Sequence, residues 1–193
     1  MPCTRVAPAE TAIDSGGGGY RCLVNEAKTN NEAVYRAPIR ARSVEAGTFE
    51  GARRCVERAL VGTGEPLMTN PADLEAAILA ASEQHGAKAG RMLSRFAGIP
   101  EGALVWTRTG EDEYRLGRVA GPWRYDDSDE ALATGICQVR PADWLEDPFE
   151  FLVVPAAVTQ TFARGGRNFQ RIRDEECDRL TRDLWRATDG SGS

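Results

Sequence analysis

The sequence predicts an α+β fold: a curved, mostly antiparallel sheet or partly open barrel with flanking helices. Three observations carry the prediction. Residues 103–107 and 114–119 are alternating, apolar runs joined by Gly110-Glu111-Asp112, the composition of a hairpin. Two segments ahead of them, near residues 70–86 and 87–96, place apolar residues at helical spacing. A third such stripe, over residues 174–186, follows the β region.

In chain order, residues 1–19 contain Pro2, Pro8 and the run Gly16 to Gly19, which predicts a flexible leader. A single domain is expected over 20–187, with 188–193 a frayed tail. Residues 20–24 read as the first strand, and 25–31 are polar and turn-rich. Residues 34–42 alternate weakly, as a strand or an extended loop. Residues 53–62 fit a short helix running into a strand, and periodicity does not decide between helix and strand there. Gly62-Thr63-Gly64 closes that segment.

A clearer helix follows. Thr69 or Asn70 offers an N-cap, Pro71 suits the first turn, and Asp73 and Glu75 suit the positive end of the helix dipole. Leu74, Ala77, Ile78 and Ala81 form its apolar stripe, and Gly86 ends it. The next helix spans 87–96 with Met92, Leu93 and Phe96 inward, stopped by Gly98 and Pro100. After the hairpin, acidic residues 126–130 read as a loop and 135–140 as a strand. Pro155 opens a short helix to Phe162, Gly165-Gly166 breaks the chain, and 168–172 reads as a last strand or extended segment. The final helix buries Cys177, Leu180 and Leu184.

Charge and composition narrow the function. The chain has 193 residues, 41% of them hydrophobic, and a net charge of −5. That excludes a broadly basic coat for DNA but allows a local basic cleft on an acidic body. Arginines are clustered, at Arg36, Arg40, Arg42, Arg53 and Arg54 and again at Arg164, Arg167, Arg171 and Arg173. Five scattered cysteines with no Cys-x-x-Cys pair, and one histidine, His85, argue against a zinc site. The odd count and the lack of a secretory signature predict reduced thiols and a cytoplasmic protein. No apolar run is long enough to cross a membrane.

The most informative stretch is Leu116-Gly117-Arg118-Val119-Ala120-Gly121-Pro122-Trp123-Arg124-Tyr125. A strand ends in a Gly-Pro turn, and two aromatics flanking an arginine follow. Aromatic faces beside a guanidinium suit a nucleobase. In an extended segment Trp123 and Tyr125 share one side and Arg124 takes the other.

Residues 20–186 resemble the PUA-like domain found at the start of many Mrr-type restriction-system proteins, a relative of the EVE, ASCH and YTH domains. Glu101-Gly102-Ala103-Leu104-Val105 is similar to that family's Val-Gly-Asp-Leu-Val strand entry. Gly117-Arg118-Val119-Ala120-Gly121-Pro122-Trp123-Arg124-Tyr125 is similar to its Gly-Arg-Val-x-Gly-Pro-Tyr-x-Tyr signature, and residues 139–145 to its Arg-x-Val-Glu-Trp segment. The chain departs from the family in lacking a tryptophan near Gly64 and in carrying Gln138 where a histidine is common. The resemblance implies a PUA-like sheet and a pocket near the strand ends. It also implies a nucleic-acid partner, DNA or RNA, whose base, a modified one included, is recognised in a restriction, defence or RNA-handling setting. A separate nuclease or other effector subunit is a further expected partner, and no membrane is.

The candidate pocket residues are Trp123, Arg124, Tyr125, Trp144 and Asn25. Trp106 and Trp144 read first as core, with Trp144 the better second wall of a cage. Arg164 and Arg167 flank a Gly-Gly break, where a freely turning backbone brings guanidinium groups to phosphates. Arg173 reads instead as a solvated surface charge beside Asp174 to Glu176. His85, at a helix end, reads as structural. No cofactor is expected: Gly16 to Gly19 is not followed by the Gly-Lys-Ser/Thr of a phosphate loop, and no Gly-x-Ser-x-Gly occurs. No catalytic or metal-binding residue is assigned. Two alternatives stand beside this reading. Glu26 and Lys28 form a Glu-x-Lys after an apolar strand, as in metal-dependent nucleases. The other alternative is a protein-interaction module with a vestigial pocket.

Overall fold

The computed structural model describes residues 33–41, 46–165 and 169–189. In chain order the elements are β1 (Val34–Arg36), α1 (Glu50–Glu57), β2 (Leu60–Thr63), α2 (Leu74–His85), α3 (Ala87–Ala97), β3 (Leu104–Arg108) and β4 (Glu113–Val119). They continue with β5 (Arg124–Tyr125), α4 (Asp129–Thr134), β6 (Gln138–Trp144), β7 (Phe149–Glu150), α5 (Ala156–Ala163), β8 (Gln170–Arg171) and α6 (Glu175–Asp189). The expected leader and the strand over 20–24 lie outside the described residues.

The fold is α+β, a curled half-barrel sheet with helices against it. The sheet runs β2-β6-β4-β3-β1-β8, with β5 added beside β6 and β7 beside β4. Neighbours pair antiparallel except β1 and β3, which are parallel, with Val34 opposite Leu104. The expected hairpin is β3-β4, with Trp106 opposite Leu116. Central β3 is buried on both faces. Val105 joins a core under α1, α2 and α3 with Phe96, Leu93, Ile136 and Val139. Leu104 and Trp106 face the other way, into a second core with Tyr114, Leu116, Val158, Cys177 and Trp185 of the α5–α6 side. Trp106 is fully buried, and its indole N–H is satisfied by donating to Thr181 Oγ1 at 3.1 Å.

Several expected boundaries move, each for a local reason. The N-cap of α2 is Asp73, whose carboxylate accepts from Ala76 N at 2.8 Å. Asn70 gives its amide to Asp127 instead, at 2.8 Å, and Pro71 precedes the helix. Residues 126–130 are not simply a loop. Ser128 caps a six-residue helix, α4, which Gly135 ends in a left-handed conformation. Strand β6 begins at Gln138, not at 135, and runs on through Trp144. Residues 53–62 divide as α1 and β2, as one of the two readings had it.

Candidate nucleic-acid interface

The Gly-Pro segment sits where one strand passes into the next. Val119 of β4 pairs with Ala142, and Arg124 of β5 pairs with Val139, so five residues advance against three on the same edge of β6. The two extra residues make a bulge at Ala120 to Trp123, which turns the sheet. Buried Arg140 fixes this bulge. Its Nε donates to Gly121 O at 2.8 Å, and its Nη1 donates to Ile99 O at 2.5 Å and to Phe96 O and Ala97 O at 3.3 Å. One guanidinium thus caps the end of α3 and ties it to the sheet. In the sequence Arg140 falls inside the 139–145 segment of the resemblance and receives no role there, although an arginine inside an apolar strand is a cue to a satisfied buried donor.

The aromatic residues expected to form a cage do not converge on an opening. Trp123 and Tyr125 are half-buried against the α1–α3 core, while Arg124 is exposed. The Trp123 indole N–H donates to Gln138 Oε1 at 3.1 Å. The Tyr125 hydroxyl accepts from Leu67 N at 2.8 Å. Trp144 lies over Gly117, where a Cβ would come within 2.5 Å of the ring, and its N–H donates to Leu60 O at 2.9 Å. Each polar handle is spent inside the protein. None of Trp123, Arg124, Tyr125 and Trp144 lines the large cleft or the small recess beside it. Asn25, Glu26, Lys28 and Arg167 lie outside those residues.

A large opening lies elsewhere. A cleft of about 1860 Å³ runs between α3, β1, the end of α5 and β8. Eight arginines and one lysine line it, against two carboxylates, Glu65 and Asp174. Lys88, Arg91 and Arg95 come from α3, Arg36 and Arg40 from β1 and the segment after it, Arg108 from β3. Arg164 caps α5, with Nη2 on Gln160 Oε1 at 3.2 Å, and Arg171 and Arg173 come from β8 and beyond. Arg164, expected at a phosphate, and Arg173, expected as a solvated surface charge, both line this cleft. Arg53 and Arg54, in the other sequence cluster, do different work. Arg53 Nε donates to Thr109 O at 2.8 Å, and buried Arg54 pairs with Asp126.

Aromatic rings interleave with the guanidiniums. The Arg36 guanidinium lies 4.9 Å from the centre of Phe162, and Arg108 lies 5.5 Å from that of Phe49. Tyr35 and Phe169 pack at 5.6 Å, and Phe169 against Phe96 at 5.1 Å. The α3 part of the cleft was readable in the sequence: Lys88, Arg91 and Arg95 fall at i, i+3 and i+7, one helical face. His85 Nε2 lies 2.8 Å from Pro66 O at the rim.

Cys55, Cys137 and Cys177 are free and buried, and burial pushes their thiols up to about 12, 11 and 11. No group of His, Cys, Asp or Glu suited to a metal ion occurs among the described residues, and no helix there is long and apolar enough to cross a membrane. No protein-family model and no curated protein matches the chain.

Proposed function

We propose that the chain is a nucleic-acid-binding module, with the arginine-lined cleft holding the phosphate backbone. The observation that carries this reading is the segregation of charge. A chain of net charge −5 gathers nine cationic side chains around one opening that holds two carboxylates. Such focusing suits a polyanion. Arginine, not lysine, dominates the lining, and guanidinium groups match phosphate in a two-pronged fashion. Tyr35, Phe49, Phe162 and Phe169 supply faces on which bases stack. The resemblance to PUA-like domains points the same way, toward recognition of one base, a modified one included, by a cytoplasmic protein. Its setting is then restriction, defence or RNA handling, with a separate effector subunit doing the chemistry. Phe151, Leu152 and Val153, exposed between β7 and α5, give such a subunit an apolar strip to cover.

Fluorescence anisotropy against single-stranded DNA, duplex DNA with and without 5-methylcytosine, and RNA tests this reading across a salt series. Binding that weakens steeply with salt is expected. Arg164→Ala lowers affinity about equally for all sequences and flattens the log–log salt slope by roughly 0.7–0.9. A folded protein that binds none of these at low salt sinks the reading. The same substrates with Mg²⁺ are expected back intact, and cleavage lost in Glu26→Gln would select the nuclease alternative.

A further inference from the structure

Beside the cleft lies a small recess of about 30 Å³, lined by Thr63 and Gln138 and walled by Ala81, Met92 and Leu93. It opens where the two cavities share Gly64, Glu65, His85, Ala89 and Met92. Thr63 of β2 and Gln138 of β6 are directly opposed in an antiparallel pair, which places their side chains on one face. Both are buried, at 0% and 2% exposure. Neither Thr63 Oγ1 nor Gln138 Nε2 has a hydrogen-bond partner. Two stranded polar groups in one recess are costly unless something occupies it. Gly64, at φ +81°, keeps the space clear: a Cβ there would meet Gln138 Cγ at 2.8 Å.

The amide of Gln138 has a fixed sense. The Trp123 indole N–H can only donate, and it points at the amide oxygen at 3.1 Å. The amide NH₂ is therefore the end left to the recess. We infer that the recess reads the C4 keto oxygen of a pyrimidine base, taking one hydrogen bond from the Gln138 NH₂ and one from the Thr63 hydroxyl on its two lone pairs. The inference rests on the nucleic-acid reading above. The volume suits one water or one projecting oxygen, not a ring, so the base itself stays in the cleft mouth. An amino group at the same ring position would face the amide donor to donor. Trp123 then acts as a positioning residue, fixing which end of the amide faces the base.

Uracil and cytosine test this, because both carry a C2 keto group and they differ at C4, keto in uracil and amino in cytosine. Anisotropy with 12-nucleotide dU and dC strands is expected to favour dU roughly tenfold, the discrimination of a good paired contact. Gln138→Glu, which replaces the amide donor with an acceptor, is expected to abolish the preference. Thr63→Val, near-isosteric, lowers it severalfold. Trp123→Phe removes the indole N–H, lets the amide turn over and brings the ratio toward one, with the salt slope unchanged. Unfolding in urea identifies folded variants, and Thr63→Val and Trp123→Phe carry the test if Gln138→Glu does not fold. Equal binding of dU and dC by the wild type overturns the inference while leaving the cleft reading intact; a recess holding only ordered water gives that result. A dU preference that survives in the folded variants, or a loss equal for both strands, also overturns it. Absence of binding to either strand sinks the cleft reading, and this inference with it.

Discussion

Gly117 shows how narrowly one position can be defined. It pairs with Trp144 across β4 and β6, and the indole ring lies flat on its backbone. Any Cβ there would come within 2.5–2.8 Å of three ring carbons. The ring is also anchored by its N–H on Leu60 O, so it has no easy way to retreat. Gly117→Ala is accordingly expected to destabilise the fold by about 1–3 kcal/mol, the usual cost of overpacking. The urea midpoint measures this, and an unchanged midpoint would mean that Trp144 swings free. Arg140 has the opposite character, a long side chain whose Nε and Nη1 donate to four carbonyls. Burial pulls its pKa below the ordinary arginine value, but the carbonyls around it satisfy the charged form.

Among the elements, α3 carries two duties on two faces. Leu93 and Phe96 fill the core, while Lys88, Arg91 and Arg95 line the cleft. The cationic side chains are exposed, apart from the core, so their removal should leave folding nearly untouched. The double substitution Arg91→Ala with Arg95→Ala is expected to hold the melting temperature within a few degrees and to reduce the salt slope of binding by about 1.4–1.8, two phosphate contacts' worth. A slope that does not move would place the nucleic acid elsewhere. Helix α4 makes a different point. With six residues it is too short to persist alone. It is held to α1 by Arg54 and Asp126 at 2.5 Å and by the pair Arg58 and Glu130.

On the scale of the whole molecule, the acid end of the stability curve should report that tie. Burial alone would raise the Asp126 carboxyl, but hydrogen bonds from Ser128 and Arg54 outweigh it and hold its pKa below the usual aspartate value. A depressed carboxylate contributes stability that is full above about pH 4, the unfolded value, and is lost as pH falls through the folded one. Asp126→Asn is expected to cost about 1.5–3 kcal/mol at neutral pH, the range for a hydrogen bond to a charged group. Glu130, 3.8 Å from Arg54 Nε, limits the damage. The variant should also lose less stability than wild type between pH 5 and about pH 3. Urea unfolding across that range checks the sign, and parallel curves would show that Asp126 does not govern it. The net charge is −5, yet nine cationic side chains and two carboxylates line the cleft.

The sequence by itself determined those features whose cause is local. The stripe Leu74, Ala77, Ile78 and Ala81 and the stop at Gly86 defined α2, and α3 ends within a residue of its expected end. The alternation on either side of Gly110-Glu111-Asp112 defined the β3–β4 hairpin, and the α+β class followed from these. Turn chemistry and helical period act over a few residues, so a few residues reveal them. Tertiary structure alone decided what lies opposite what. The parallel match of β1 with β3 joins segments some seventy residues apart. The cleft collects charges from Arg36 to Arg173, and no window of sequence contains both. Trp123 and Tyr125 could be placed on one side of a strand from alternation, yet only the structure shows that Gln138 and Leu67 hold their polar atoms. Period tells which way a side chain points; long-range packing tells what it meets there, and chain-distant contacts leave no local mark.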